Sequence, residues 1–288
     1  MGYLKIANLY KSQDILLFKE CYALEKVHGT SAHIKWHEGN VSFFSGGASH
    51  ELFVSLFDKE FLITKFTELW GDAATVTIFG EAYGGKLQGM SKTYGDKLRF
   101  IIFDVLIGER WLVVPEATKV AEMFGLEFVP WKVISTDLDC LTAYRDSYSQ
   151  VAFLRGMGGD KIGEGLVLRP LIEVNHSGGG RVIVKYKRDN FKETATSRKV
   201  DRGDLKVLEN TKAIANEWVT MERLRHVLDK LPQGIGVEET RQVIDAMLAD
   251  ILIEGKDEIV DSPCAQREIK STAAKMFKNY LQTCLEEK

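Results

Sequence analysis

Alternation of apolar and polar positions dominates the first two-thirds of the chain. His33-Ile-Lys-Trp36 alternates as a half-buried strand does, Glu38-Gly39-Asn40 is a turn signal, and Val41 to Phe44 resumes the pattern, so a hairpin is expected. Ser49 to Leu69 carries helical apolar spacing through Leu52, Leu56, Phe57, Phe61, Phe66 and Leu69. Four further runs, Ala74 to Gly80, Leu98 to Ile107, Gly165 to Arg169 and Val182 to Tyr186, are rich in β-branched and aromatic residues and read as strands. Pro115 to Phe124 and Asp137 to Leu154 read as intervening helices, and Val174 to Gly180 as a flexible insertion. Near Val200 the pattern changes. From Leu205 onward it is helical only, ending in a helix over roughly Ala265 to Leu285 opened by the cap-like Asp261-Ser262-Pro263. The expected organisation is α+β over 1–200 and a small all-helical C-terminal domain over 201–288.

Composition sharpens this. The 288 residues are 45% apolar and 27% charged, which suits folded domains and argues against disorder. No apolar run is long enough for a membrane span, so no membrane partner is expected. The opening Met-Gly-Tyr-Leu-Lys lacks the basic flank and apolar stretch of a secretory signal. Cys21, Cys140, Cys264 and Cys284 are scattered without C-x-x-C spacing, which fits a reducing compartment. A cytoplasmic location is expected, the host cytoplasm if the protein is viral, and a monomer. Net charge is −3, yet eight basic residues face four acidic ones between Lys185 and Lys206. A local basic stretch on an acidic protein points to a positioned phosphate contact, although a solvated surface loop has the same composition.

The chemistry begins at Lys26-Val27-His28-Gly29-Thr30. A lysine between a strand and a glycine turn is either an exposed hairpin lysine or a nucleophile that must lose a proton to react. Gly29 would let backbone approach a phosphate. Further along, Gly80-Glu81 closes a strand, Phe100-Ile-Ile-Phe-Asp104 brings an aromatic and a carboxylate, Glu164-Gly165 opens a strand, and Lys185-Tyr-Lys187 places two lysines on one strand face. Singly, each has a bland structural explanation. In this order they supply a nucleophile, metal-binding oxygens, a base-stacking ring and cations for a triphosphate, which nucleotidyl transfer requires.

These segments resemble, in order, the motifs of the covalent nucleotidyltransferase superfamily of ligases and capping enzymes. Within it, Lys26-Val-His-Gly-Thr30 resembles the double-strand-specific RNA ligase 2 family, because DNA ligases and capping enzymes more often carry aspartate where His28 stands. The resemblance implies an ATP-grasp-like ligase domain of antiparallel sheets with flanking helices, followed by a helical domain. It implies that Lys26 attacks the α-phosphate of ATP and carries AMP, that Glu81 holds the ribose and that Phe103 stacks on adenine. Glu164 and Asp104 are implied as ligands of Mg²⁺ or Mn²⁺, Lys185 and Lys187 as α-phosphate contacts, His28 as a phosphate- or metal-positioning group, and Glu25 as part of the nucleotide pocket.

The expected function is joining of RNA 3′-OH and 5′-phosphate ends, at nicks in duplex RNA, through lysyl-AMP and an adenylylated RNA end. Two departures touch end recognition. Ser31 stands where the family usually has asparagine, and Ser45 falls where it has an arginine used on phosphate. Ser31, Arg188, Arg198 and Lys199 are therefore expected RNA contacts, the basic residues replacing the missing arginine. The alternatives are a ligase for single-stranded or RNA/DNA hybrid ends, and an inactive nucleic-acid-binding homologue. A capping guanylyltransferase fits less well, because no β-rich C-terminal domain follows. His33 and His37 share no metal spacing, since four residues of strand separate them by ~13 Å.

Overall fold

The computed structural model describes residues 2–197, 200, 207–231 and 235–286. Elements of the first part run β1 (Ala7–Asn8), β2 (Glu20–Lys26), β3 (Thr30–His37), β4 (Asn40–Ser45), α1 (His50–Val54), α2 (Lys59–Trp70) and β5 (Val76–Tyr83). There follow α3 (Ser91–Tyr94), β6 (Arg99–Ile107), β7 (Arg110–Trp111), α4 (Val114–Met123), β8 (Trp131–Ser135), α5 (Leu138–Arg145), α6 (Gln150–Leu154), β9 (Gly165–Pro170) and β10 (Val184–Lys187). The C-terminal part holds α7 (Thr211–Trp218), α8 (Met221–Leu228), α9 (Thr240–Glu254) and α10 (Pro263–Glu286). The chain divides into two compact units, Met1–Arg188 and Asp189–Lys288. The expected boundary at 200/201 falls where, of residues 198–206, only Val200 is described.

The first unit is α+β, with two five-stranded sheets ordered β1-β10-β9-β2-β8 and β4-β3-β5-β6-β7. All pairings in them are antiparallel except β1 with β10. In the second sheet, Ala32, Ile34 and Trp36 of β3 point to one face, where they pack with Phe53, Leu62, Phe66, Val120 and Phe124 beneath the helices. The other face of that sheet and the Tyr22–Leu24 face of the first sheet share a second cluster with Tyr83, Tyr94, Ile101 and Val129. The functional groups sit along this inter-sheet layer.

Two expected helices are each broken in two. The Ser49–Leu69 pattern splits where Asp58 Oδ1 accepts the Phe61 amide at 3.0 Å and restarts the helix as α2. The Asp137–Leu154 pattern splits likewise, with Ser149 Oγ accepting the Ala152 amide at 3.0 Å to cap α6. The second unit is helical among its described residues, around Ile214, Trp218, Leu224, Met247, Ile251, Ile269 and Phe277. Ser262 Oγ accepts the Ala265 amide at 3.2 Å and opens α10 at the cap signal the sequence carries. No described helix is long and apolar enough to cross a membrane.

Candidate active site

Strand register brings the principal groups together. Lys26 ends β2 opposite Gly165, and Lys187 ends β10 opposite the same glycine, so Glu164, one residue before β9, lies between two lysine-bearing strand ends. Lys26 Nζ donates to Glu164 Oε2 at 2.9 Å, Lys187 Nζ lies 2.8 Å from Oε1, and His28 Nδ1 lies 3.1 Å from Oε2. The glycine is required: Gly165 has φ 146°, a backbone region closed to other residues, and a Cβ there would collide with the Tyr186 carbonyl. Burial alone would raise the Glu164 pKa, but Lys187, Lys26 and His28 together hold it well below the usual carboxylate range. Glu164 is thus a fixed anion at the hub of three cationic or hydrogen-bonding groups.

Glu81 enters from the facing sheet. Its Oε1 accepts the Gly29 amide at 3.0 Å, and its strand position is opposite Ser31. Gly29 is needed for this approach, since a Cβ would run into the Ala82 carbonyl and lie 2.9 Å from Tyr83 Cβ. Burial pushes the Glu81 carboxyl up to about 7, against the pull of Lys26. Near neutral pH it therefore exchanges between a hydrogen-bond donor and an acceptor, a chemistry suited to hydroxyl groups. Lys185 lies two residues before Lys187 on the same strand face, opposite Val167.

Phe103 owes its orientation to a β-bulge. The β5–β6 register shifts between Phe79, opposite Asp104, and Gly80, opposite Ile102, so Phe103 has no partner and it and Asp104 turn to the same side. That side is the inter-sheet layer, where Phe103 packs beside the Leu24 cluster and meets Tyr3 edge-on at 4.8 Å between centroids. A flat aromatic wall thus stands across from the lysine-bearing sheet.

Three expected site residues are placed elsewhere. Asp104, expected as a metal ligand with Glu164, is fully buried and held by Arg169 Nη1 at 3.1 Å, Arg181 Nη1 at 2.6 Å and the Tyr3 hydroxyl at 2.7 Å. A carboxylate paired with two buried arginines ties the two sheets together. Glu25 alternates away from Lys26, and its carboxylate accepts the Gln150 and Val151 amides at 3.0 and 3.1 Å and the Ser149 hydroxyl, anchoring the start of α6. Arg188, expected on RNA, is buried and donates to the carbonyls of Arg145 (2.9 Å) and Ser147. Arg198 and Lys199 lie outside the described residues. Ser31 stands beside Glu81 on the site face, whereas Ser45 is on the opposite face of its strand, opposite Ala32, with its Oγ accepting the Ala48 amide at 3.3 Å. Among the described residues no group of three or more His, Cys, Asp or Glu is arranged to hold a metal. Arg169 and Arg181 were missed by sequence reasoning. The one available hint was an arginine inside an apolar strand run, Leu166-Val-Leu-Arg169.

Comparison with known proteins bears on the family and the fold. A family model described as RNA ligase matches residues 19–187, more than half of the chain. No curated protein matches. Solved structures of a Naegleria gruberi RNA ligase share the fold: a variant with ATP and Mn (TM-score 0.50, 14% identity), a form with PPi (0.51, 15%) and a variant with AMP and Mn (0.51, 14%). The match covers 66% of this chain but only 56–57% of the Naegleria chains, so this chain spans little more than half their length.

Proposed function

The chain belongs to the RNA ligase family, and on that premise we propose that it is an ATP-dependent RNA ligase with Lys26 as the adenylylated nucleophile. The observation that carries this reading is the convergence of Lys26, His28 and Lys187 on the buried Glu164 carboxylate. Attack requires a neutral amine, so Lys26 Nζ gives up a proton before it bonds to the α-phosphorus of ATP. The bond from that phosphorus to the β-phosphate oxygen breaks, and pyrophosphate leaves with the electron pair. Lys185 and Lys187 meet the negative charge that builds on the α-phosphoryl oxygens, and Lys187 is already fixed for this by Glu164. Glu81 takes the ribose hydroxyls and Phe103 the adenine face.

An oxygen of the RNA 5′-phosphate then attacks the same phosphorus and frees Lys26. The 3′-OH of the neighbouring end finally attacks the 5′-phosphate, forming the phosphodiester and releasing AMP. The donor set fits a Mg²⁺ or Mn²⁺ ion held by Glu164 together with substrate phosphates, because a single buried carboxylate is the kind of partial ligation Mg²⁺ accepts. Such an ion would neutralise triphosphate charge.

Nicked duplex RNA is the proposed substrate. Single-stranded and RNA/DNA hybrid ends form the second reading, favoured by the short hydroxyl of Ser31 where an asparagine amide is usual and by the turning away of Ser45. The test is sealing of 5′-labelled RNA ends with ATP, comparing nicked duplex RNA, single strands and hybrids. Joined product plus an adenylylated RNA intermediate is expected, highest on the nicked duplex. Fastest sealing of single strands would replace the duplex reading with the second one.

A further inference from the structure

The outward positions of β4 are Asn40, Ser42 and Phe44, two polar residues and then an aromatic with 45% of its surface exposed. A large ring on a solvent-facing strand position departs from the polar-out pattern that the rest of β4 follows. The ring is also built in. His33, directly opposite on β3, stacks beneath it with centroids 5.1 Å apart and planes inclined by 21°, and His33 in turn rests on Phe79 at 5.6 Å. His33 is buried, with 7% of its surface exposed, and its Nδ1 has no hydrogen-bond partner. A buried unpaired polar atom carries a cost of about 1–3 kcal/mol, which an aliphatic residue of similar size would avoid. Burial depresses its pKa to about 4, so the plate under Phe44 is neutral near pH 7.

Position gives this stack a purpose. Strand alternation places Ser31, His33 and Lys35 on one face of β3, and Ser31 is opposite Glu81 of the candidate active site. His33, which backs Phe44, therefore lies one two-residue step, about 7 Å, along β3 from Ser31; Phe44 lies one strand further out, and Lys35, opposite Ser42, lies a second such step along β3. The strand end is firmly held: the Gly46 amide donates to the Ser31 carbonyl at 3.0 Å, and a Cβ on Gly46 would press on Thr30 Oγ1 at 2.7 Å. Aromatic faces interleaved with cations in a line are the arrangement that carries a nucleic-acid strand, bases on the rings and phosphates on the cations. We propose that Phe44, backed by His33 and followed by Lys35, is a nucleobase platform for the RNA strand that leaves the Lys26 centre along β3 and β4.

The proposal rests on the RNA ligase reading, and two separate readouts keep them apart. AMP transfer from ATP to the wild-type protein reports on the ligase reading. Binding of a 5′-phosphorylated single-stranded RNA with 2-aminopurine among its first three nucleotides reports on the platform. The full chain should quench the probe, and F44L, which keeps apolar bulk but loses the ring, should bind at least fivefold more weakly without that quenching. This corresponds to the lower end of about 1–3 kcal/mol per stacked base. F44W should restore both, and K35Q should lower the salt dependence of binding by about one phosphate contact. Equal affinity and quenching in F44L and wild type would overturn the proposal, as would failure of F44W to restore binding in a protein that melts like the wild type. Absence of AMP transfer by the wild type would instead remove the ligase reading, with the probe still deciding the platform.

Discussion

Replacing Asp104 by asparagine separates two accounts of that residue. Its Oδ1 and Oδ2 face Arg169 and Arg181, all three side chains being at least 95% buried, and Arg181 also lies over the Trp111 ring at 4.2 Å. D104N keeps the shape but removes the charge, leaving two guanidinium groups balanced by Glu173 alone, which bonds to both. Breaking a buried ion pair typically costs about 3–5 kcal/mol. The surviving Glu173 contacts set the expectation at the lower end, about 3 kcal/mol. For a unit of this size each kcal/mol moves the melting temperature by about 2–4 °C, so a drop of about 6–12 °C is expected. Trp111 beneath Arg181 gives a fluorescence signal at the site of damage, to be followed in thermal and urea melts. The reasoning is refuted if D104N melts with the wild type while its AMP transfer falls and is restored by raised Mn²⁺. That result would make Asp104 a metal ligand.

Other consequences can be checked in the same way. Glu81, raised to about 7 by burial, contributes stability that is complete below its unfolded pKa of about 4.3 and is lost as pH rises through about 7. Measured by denaturation from pH 5 to 8, E81Q should therefore gain on the wild type by about 2 kcal/mol, less than full burial would give because the side chain keeps some solvent contact. E25A strips the start of α6 of the carboxylate that its amides and Ser149 use, and should cost about 2 kcal/mol in urea melts while AMP transfer survives. R188M should lose about 1–3 kcal/mol of stability through its two orphaned carbonyls, and leave the salt dependence of RNA binding unchanged.

Much of the site was legible because its parts are local. Lys26-Val-His-Gly-Thr30, Glu164-Gly165 and Lys185-Tyr-Lys187 are short segments whose chemistry and spacing along a strand carry their meaning. Strand register then did what the segments imply, aligning Lys26 and Lys187 on Gly165. Asp104 marks a limit, because a carboxylate after an aromatic looks the same in sequence whether it faces a metal or, as here, two arginines. Its two partners lie 65 and 77 residues away. Arg188 marks a related limit: a local excess of basic residues does not say which of them are buried. Glu25 shows the finer limit. Alternation alone places it opposite Lys26, but only the fold reveals the helix start it serves.

The fold followed the same division. The β3–β4 hairpin, β5, β6 and α4 come directly from period and composition. The breaks after α1 and α5 escaped because apolar spacing continues across them, and the deciding signals were single capping residues, Asp58 and Ser149. Strands β1, β8 and the two-residue β7 were not expected. The first spans only two residues, too few for a period, and the second follows Pro130 as an edge strand paired only with β2.

The claim that Lys26 is the nucleophile is tested most directly by mapping the adduct. Protein freed of bound AMP is incubated with ATP and Mg²⁺ or Mn²⁺, denatured, digested and analysed by mass spectrometry. The account predicts an AMP adduct on Lys26, absent in K26A and also in K26R, whose guanidinium stays protonated. An adduct on another residue, an adduct formed with GTP but not ATP, or none from well-folded protein would contradict it.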